Sequence, residues 1–577
     1  MVAVPSLSAV APGLSTLRGY RRGWLRGDVV AGITVAAYAV PQVMAYAELA
    51  GLPPVVGLYA IMVPLAIYAF LGSSRQLSVG PESTTALLTA AAIGPLAAGD
   101  PARYAALASI LALVVAAYCL LAWVLRLGFV ADLLSRPVLV GYLTGVAVTM
   151  IVGQLGTITG VDVSGDSVAV RVVSFVSNLG TIDLATTVLS ASVLVLLLVL
   201  QSRWPRVPGP LVAVLLASAV VAAAGWESTI EVVGQVPFGL PDLVFPTITG
   251  GDLGLLALPA LGVMIVGYTD NVLTARSFAA RRHEEIDANQ ELLALGTANL
   301  GASVTQGFPV SSSGSRTALG SSAGSQTQLA SLVTLGAIVA TLFAFRGVLE
   351  YFPLAALGAL VVYAALQLVD TEAFGALWRF RGAEFALAVS TTLVVLVADI
   401  LLGVLIAVGL SVLELLYRVA RPHDAIEGLV PGLAGMHDVD DYPDAQLVPG
   451  LLVYRYDSPL FFANAADFRR RALRSVARVE QDHGPVRWLL LNTESYVEVD
   501  STAVDILEQL RRELAARGIE LALARVKQDL AVQLDRAGLL EKIGPDRMFP
   551  TLPTAVQGYR DWLAAQQGGG EETSVRS

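Results

Sequence analysis

Charge is missing from most of this chain. Of its 84 Lys, Arg, Asp and Glu side chains, 40 fall in the last 151 residues and only 44 are spread over the first 426. The long part is thus about 10% charged and the short part about 26%, where a soluble protein carries roughly 25%. So few charges cannot clothe a surface of that size in water, and the long part must use a lipid bilayer as solvent. The short part has the composition of one soluble domain.

A hydrocarbon core of ~30 Å takes ~20 apolar residues in a helix. Spans are predicted near residues 28–49, 55–72, 81–98, 103–125, 137–156, 183–202, 209–226, 253–275, 286–303, 309–319, 327–345, 353–369, 383–397 and 400–417. Arginine tests that count of fourteen. With the N-terminus inside the cell, sixteen of the twenty arginines before residue 427 fall in cytoplasmic segments. Arg103, Arg171 and Arg346 fall outside, and Arg316 falls within a span. A miscounted helix would scramble this asymmetry, so it supports a multi-pass protein of the plasma membrane with both termini cytoplasmic. The predicted divisions are a cytoplasmic arm (1–27), a membrane domain (28–420), a linker (421–435), a soluble domain (436–565) and a disordered tail (566–577).

Several functions are disfavoured at once. A net charge of −10 argues against nucleic acid as a partner. One cysteine, Cys119, makes neither a disulfide nor a zinc site. The four histidines lie outside the apolar runs, so no metal centre or intramembrane histidine relay is expected. No nucleophile–base pair or P-loop suggests an enzyme, and no cofactor is expected. The first 27 residues are polar and Arg-rich, without the apolar core of a cleavable signal.

Two spans are broken in the same way. Ser78-Val79-Gly80-Pro81-Glu82-Ser83-Thr84-Thr85 opens the third, and Gly307-Phe308-Pro309-Val310-Ser311-Ser312-Ser313-Gly314-Ser315-Arg316-Thr317 opens the tenth. Each has Gly, then Pro, then small hydroxyl residues, then a stub too short to cross alone. They stand seven spans apart, and an odd-numbered unit inserted twice must be inverted. Short Gly/Pro-broken segments at matched positions point to a transporter's midplane site. Two helix N-termini meeting there would present free N–H groups and positive dipole ends to an anion. Glu82, Ser83, Thr84, Ser311, Ser312, Ser313 and Ser315 would line the site, with Pro81 and Pro309 near the first helical turns. The alternative is that these small residues only let helices pack closely.

Arg316 is the one basic residue placed in a span, where a cation is expensive and is usually paired or functional. It either raises the potential for an anion or forms an ion pair with Asp270 or Glu82. Asp270, with Thr274 four residues on, could carry a proton or hold sodium through hard oxygen ligands. A fixed cation already supplies what sodium would add, which favours the proton. Glu48 is a further proton candidate, or a solvated residue at the interface. Gln42 and Tyr46 lie one turn apart on the first span, as donors to the site or as packing beside Pro41.

The soluble part alternates strand and helix: Leu451–Tyr456, a helix near 464–479, Val486–Leu491, Ser501–Ala516, Ile519–Ala524, then two more helices. Asp500 or Ser501 reads first as a helix N-cap. The arginines at 469–471, 474 and 478 read as a solvated helix face, or one that touches anionic lipid.

At these residues the sequence resembles the SulP family of anion transporters, the solute carrier 26 type. The resemblance rests on Val40-Pro41-Gln42, Ala45-Tyr46-Ala47, the run from Gly51 to Tyr59, Leu71-Gly72-Ser73-Ser74-Arg75, Ser78-Val79-Gly80-Pro81, Asn289-Gln290-Glu291-Leu292 and Phe308-Pro309-Val310-Ser311-Ser312-Ser313. The tail resembles that family's STAS domain at Pro459-Leu460-Phe461-Phe462-Ala463-Asn464 and Asp500-Ser501-Thr502. The resemblance implies a mostly α membrane protein with a seven-plus-seven inverted repeat, followed by an α/β STAS domain. Spans 1–4 and 8–11 would form a core and the rest a gate, with elevator-like movement in a homodimer. It puts Gln42, Tyr46, Ser315 and Arg316 beside the anion, and many members lack an acid at the Glu82 position. An acid at the Asp270 position is linked in bacterial and plant members to cation coupling, which favours symport over exchange. The spacing of Asp270 and Thr274 is also that of sodium-coupled bicarbonate members. The function expected is proton-driven uptake of a small oxyanion, sulfate above all. The rivals are a sodium- or proton-coupled bicarbonate or dicarboxylate carrier, and an anion-binding sensor that signals through the STAS domain.

Overall fold

The computed structural model describes residues 11–574 apart from 98, 134, 166, 206, 227–228, 248–249 and 399. The chain divides between Val412 and Leu413 into two compact units.

Among the described residues a helix stands at each predicted span: α1 (Leu25–Leu49), α2 (Val55–Leu71), α3 (Ser83–Ala97), α4 (Pro101–Val124), α5 (Arg136–Gly153), α6 (Leu184–Arg203), α7 (Gly209–Ala224), α8 (Gly250–Ala280), α9 (Ala288–Val304), α10 (Gly314–Ser322), α11 (Leu329–Ala344), α12 (Leu354–Leu368), α13 (Gly382–Ala398) and α14 (Ile400–Ala420), within which the division falls. Capping residues fix several starts. Asp100 accepts from Ala102 N ahead of α4, with Pro101 at the first helical position, and Asp287 accepts from Asn289 N and Gln290 N ahead of α9. α10 has nine residues, about 14 Å at 1.5 Å per residue, so it reaches only halfway through a bilayer core.

α4 packs on α8 and α9, α2 on α9, and α1 on α11; α5 packs on α12 and α13, and α6 on α7 and α12; α1 also packs on α7 and α12, across the predicted division. Small residues allow the close crossings. A Cβ on Gly57 of α2 would lie 1.9 Å from the carbonyl oxygen of Val43 on α1, so the two backbones touch. Away from these seams large apolar side chains face outward, among them Leu184 and Val195 of α6 and Leu413 and Tyr417 of α14. In water such a surface would aggregate; in lipid it is the solvated one.

Two further helices of ten residues, Val168–Ser177 and Thr371–Phe380, join α5 to α6 and α12 to α13. They occupy the same place in the two halves. Both are amphipathic and expose Val173 on one and Trp378 and Phe380 on the other.

The second unit is a six-stranded mixed sheet in the order β4-β3-β5-β6-β7-β8. Its strands are β3 (Asp424–Leu429), β4 (Met436–Asp438), β5 (Leu451–Tyr456), β6 (Trp488–Asn492), β7 (Glu520–Ala524) and β8 (Met548–Phe549), where β1 (Val79–Gly80) and β2 (Ser311–Ser312) belong to the first unit. β5 to β8 run parallel, and β3 is antiparallel to both of its neighbours. Parallel strands covered on both faces are apolar throughout. One face, with Leu452, Leu489 and Leu491, is covered by α15 (Ala465–His483), α16 (Ser501–Ala516), α17 (Gln528–Arg536) and α18 (Leu539–Ile543). The other, with Val453, Trp488 and Leu490, is covered by α19 (Leu552–Ser574). Two boundaries differ from the sequence reading. β3 takes up part of the expected linker, because its alternation is too short to register without its partner β5. α19 continues to Ser574 through the segment expected to be disordered, whose last residues, 575–577, lie outside the described residues. Asp500 caps α16 by accepting from Ala503 N. Arg469, Arg470 and Arg471 pair with Glu513, Asp467 and Asp424.

Gly57→Ala should destabilise the protein by roughly 1–3 kcal/mol or more, the usual cost of overpacking. Thermal unfolding of the detergent-solubilised chain measures this. An unchanged midpoint would mean that the α1–α2 contact is soft.

Candidate functional site

The two broken spans meet. β1 (Val79–Gly80) and β2 (Ser311–Ser312) form a two-stranded antiparallel ladder, with Val79 opposite Ser312 and Gly80 opposite Ser311. Ser313 N donates to Ser78 O at 2.9 Å, and Ser78 N donates to Thr317 Oγ1 at 3.0 Å. Because the strands are antiparallel and each runs on into a helix, α3 and α10 leave the ladder in opposite directions with their N-termini facing one another. The prolines serve the ladder and not the helices. Pro81 and Pro309 both lie outside the first helical turns, which begin at Ser83 and Gly314, and extended backbone around them is what proline favours.

Side chains from neighbouring helices hold this irregular backbone. Asn299 of α9 acts as a peptide would: its Nδ2 donates to Val310 O at 3.0 Å and its Oδ1 accepts from Val310 N at 2.9 Å. Arg316, fully buried, ties the other strand down. Its Nη1 donates to Pro81 O at 2.9 Å and Gln42 Oε1 at 3.1 Å, and its Nε donates to Ser78 Oγ at 3.3 Å. All of these partners are neutral. Among the described residues no carboxylate lies at ion-pairing distance, and Nη2 is buried without a hydrogen-bond partner. The site therefore takes no Arg316–Asp270 or Arg316–Glu82 ion pair in this conformation.

Beside the ladder lies a cavity of about 220 Å³, some seven waters' worth at ~30 Å³ each. It is lined by Gln42 and Tyr46 of α1, Glu82 and Ser83 at the start of α3, Asp270 and Thr274 of α8, and Ser312, Ser313 and Ser315 at the start of α10. Gln42 Nε2 donates to Tyr46 Oη at 3.0 Å and to Ser315 Oγ at 3.3 Å. Ser312 Oγ donates to Asp270 Oδ2 at 3.1 Å. The rest of α8 is fixed from the opposite side. Asn271 Nδ2 donates to Glu291 Oε2 at 2.6 Å, and the buried Glu291 also accepts from Ser73 N, Ser73 Oγ and Tyr68 Oη. With Asn271 anchored, its neighbour Asp270 is turned to the cavity.

Some residues assigned to the site from sequence stand elsewhere. Thr84 lines a smaller cavity of about 40 Å³ on the far side of Asp270, with Tyr142 and Ala407. Ser311 and Arg316 are buried behind the wall. Glu48, near the C-terminal end of α1, lies outside the cavity. Sequence reasoning missed Tyr38, which stands four residues before Gln42 on the stripe that continues to Tyr46. It also missed Tyr363 and Gln367 of α12. Tyr38 was within reach of helical spacing; nothing local tells that α12 faces α1.

The wall thus offers hydroxyl and amide donors, two carboxylates, and a cation one layer behind. It sits between the α1, α3, α8, α10 group and the α7 and α12 group, which contribute Pro210 and Tyr363. Opposed broken helices around such a cavity define the inverted-repeat secondary transporters. The comparisons agree. The sulfate permease family matches residues 25–391, and the STAS domain matches residues 442–555. A probable sulfate transporter of Mycobacterium tuberculosis is 57% identical over 561 residues, covering 96% of this chain and all of the relative. The chloroplastic sulfate transporter 4.1 of Arabidopsis thaliana is 31% identical over 567 residues, covering 96% of this chain and 82% of the relative. The fold matches that of the murine solute carrier 26 family member A9 anion transporter in its inward-facing state. That match has a TM-score of 0.87 at 24% identity and covers 96% and 95% of the two chains. The chain belongs to the sulfate permease family, with a C-terminal STAS domain: it is a multi-pass membrane anion transporter.

Asn299→Ala removes both hydrogen bonds to Val310 in a buried place, a loss on the order of 2 kcal/mol. Hydrogen–deuterium exchange across Val310–Ser313 should quicken about 30-fold. Unchanged protection there would deny Asn299 its role as the clamp.

Proposed function

We propose that the protein is a secondary active transporter for sulfate, driven by protons, working as an elevator. The observation that carries this reading is the cavity at the two opposed helix N-termini, lined by hydroxyls and by Glu82 and Asp270. Helix N-termini bind oxyanions through N–H groups and dipoles without a lone salt bridge. The anion would lie against Ser83, Ser312, Ser313 and Ser315, with Gln42 and Tyr46 as further donors. Arg316 would contribute charge from behind Gln42. The carboxylates call for protons: a doubly charged anion beside two ionised acids is repelled by roughly 2–8 kcal/mol per acid at 4 Å. Proton uptake with the substrate removes that repulsion, which makes symport the natural coupling. The sulfate-transporter names of the relatives support the choice of anion. The position of the cavity between the core and gate groups supports elevator movement, in which the α1, α3, α8 and α10 group carries the anion past α7 and α12. Residence in the plasma membrane, cytoplasmic termini and a homodimer complete the reading.

One arrangement favours a second reading. Ser312 Oγ and Thr274 both face Asp270, and such a group of hard oxygens also suits sodium. A sodium-coupled carrier for bicarbonate or a dicarboxylate follows from it.

Uptake of labelled sulfate into proteoliposomes, with a proton gradient, a sodium gradient or neither, tests these readings. Accumulation under the proton gradient alone is expected. Accumulation of sulfate only with sodium would make sodium the coupling ion, sodium-driven uptake of labelled bicarbonate or dicarboxylate in place of sulfate would install the second reading, and binding without accumulation would make the protein a sensor.

Two substitutions sharpen the test. Arg316→Ala should raise the sulfate KM at least tenfold, since it removes both the charge and the tie between α10 and Pro81. An unchanged KM would take Arg316 out of the site. Asp270→Asn should abolish proton-driven accumulation and keep sulfate–sulfate exchange. Persistence of proton-driven uptake would reject Asp270 as the coupling acid.

A further inference from the structure

The donors at the start of α3 are already occupied, and by a carboxylate of this chain. Ser83 Oγ donates to Glu82 Oε1 at 2.5 Å, and Thr84 N donates to Glu82 Oε2 at 2.7 Å. These are a first-turn hydroxyl and a first-turn N–H, the groups with which α3 would hold an oxygen of a bound anion. The other half of the site is different. α10 is capped by the neutral hydroxyl of Ser313, which accepts from Arg316 N across a long 3.4 Å. Asp270, the second acid, receives hydroxyl donors and is not bonded to either helix terminus.

We propose that Glu82 is a tethered anion that competes with the transported oxyanion for the N-terminus of α3, and that a proton on Glu82 hands those donors to the substrate. This rests on the transport reading above and adds a second proton site to it. The charged and titratable groups facing Glu82 are Tyr46 on α1, Tyr142 on α5, Asp270 on α8 and Arg316 on α10. With both acids ionised, Arg316, the one nearby cation among the described residues, leaves the site at a net charge of −1 before any substrate enters. Glu82 in that state satisfies α3 by itself and holds an anion off. Protonated, it becomes a weaker acceptor for Thr84 N–H than an oxyanion is, and its O–H becomes a donor to the substrate. The proton is taken from water on the side where the anion binds and returned to water on the side where it leaves; no bond of the oxyanion changes.

A purely structural cap predicts otherwise: its loss would lower stability and leave anion affinity alone. The test is sulfate–sulfate exchange by the full chain in proteoliposomes at pH 8, which needs no driving gradient. Glu82→Gln should lower the sulfate KM at least tenfold below the wild-type value. A KM for E82Q equal to or above that of the wild type overturns the proposal.

Infrared difference spectra on adding sulfate to the wild type and to Asp270→Asn supply a measurement that needs no change at Glu82. A protonated-carboxyl band should grow on binding in both, and its absence from the Asp270→Asn spectrum overturns the proposal equally. Absence of exchange by the wild type with sulfate, bicarbonate and dicarboxylates would instead sink the transport reading, and the Glu82 proposal with it. An active wild type with an indifferent E82Q sinks the Glu82 proposal alone.

Discussion

Two residues of antiparallel ladder, Val79–Gly80 against Ser311–Ser312, let this membrane unit interrupt its helices. Backbone in hydrocarbon must satisfy its own N–H and C=O groups, and a broken helix leaves them open. Here the two breaks satisfy one another, with Asn299 and Arg316 taking the groups that the ladder does not reach. The same pairing fixes the direction of both helices. Neither broken span could have this geometry alone, because each supplies the other's missing strand.

That mutual dependence explains what could be read in advance. The fourteen spans were legible because apolar length and arginine asymmetry are local or additive signals, and a helix stands at each position. The two breaks were legible because Gly, Pro and Ser cluster identically seven spans apart. The amphipathic helices Val168–Ser177 and Thr371–Phe380 were not, since ten residues give too short a stripe beside long apolar neighbours. Asn299 stood inside an ordinary apolar run, and only the position of Val310, eleven residues on, gives it a task. Prolines are common at helix starts, but their fixed φ and lack of N–H suit the ends of a short ladder equally well.

Arg316 takes the less expected of the two geometries open to a cation in a span. A cation within a span invites a carboxylate partner. Its described partners are instead Pro81 O, Gln42 Oε1 and Ser78 Oγ, which solvate the charge without neutralising it. A cation held by neutral dipoles keeps its field, and Gln42 carries that field to the wall, where its Nε2 meets Tyr46 and Ser315. An ion pair would have cancelled it.

The cavity therefore separates its charges by depth. The positive charge is fixed one layer back and cannot be lost at any ordinary pH, since a guanidinium stays protonated. The negative charges are at the wall, on groups that a proton can silence. A site built the other way, with carboxylates behind and arginine in front, would hold a divalent oxyanion tightly and release it slowly. In the proposed mechanism the permanent charge is screened by a layer of amide, and the removable charges of Glu82 and Asp270 stand where the substrate would bind. That is the arrangement a carrier needs if it is to bind an anion on one side of a membrane and let go of it on the other.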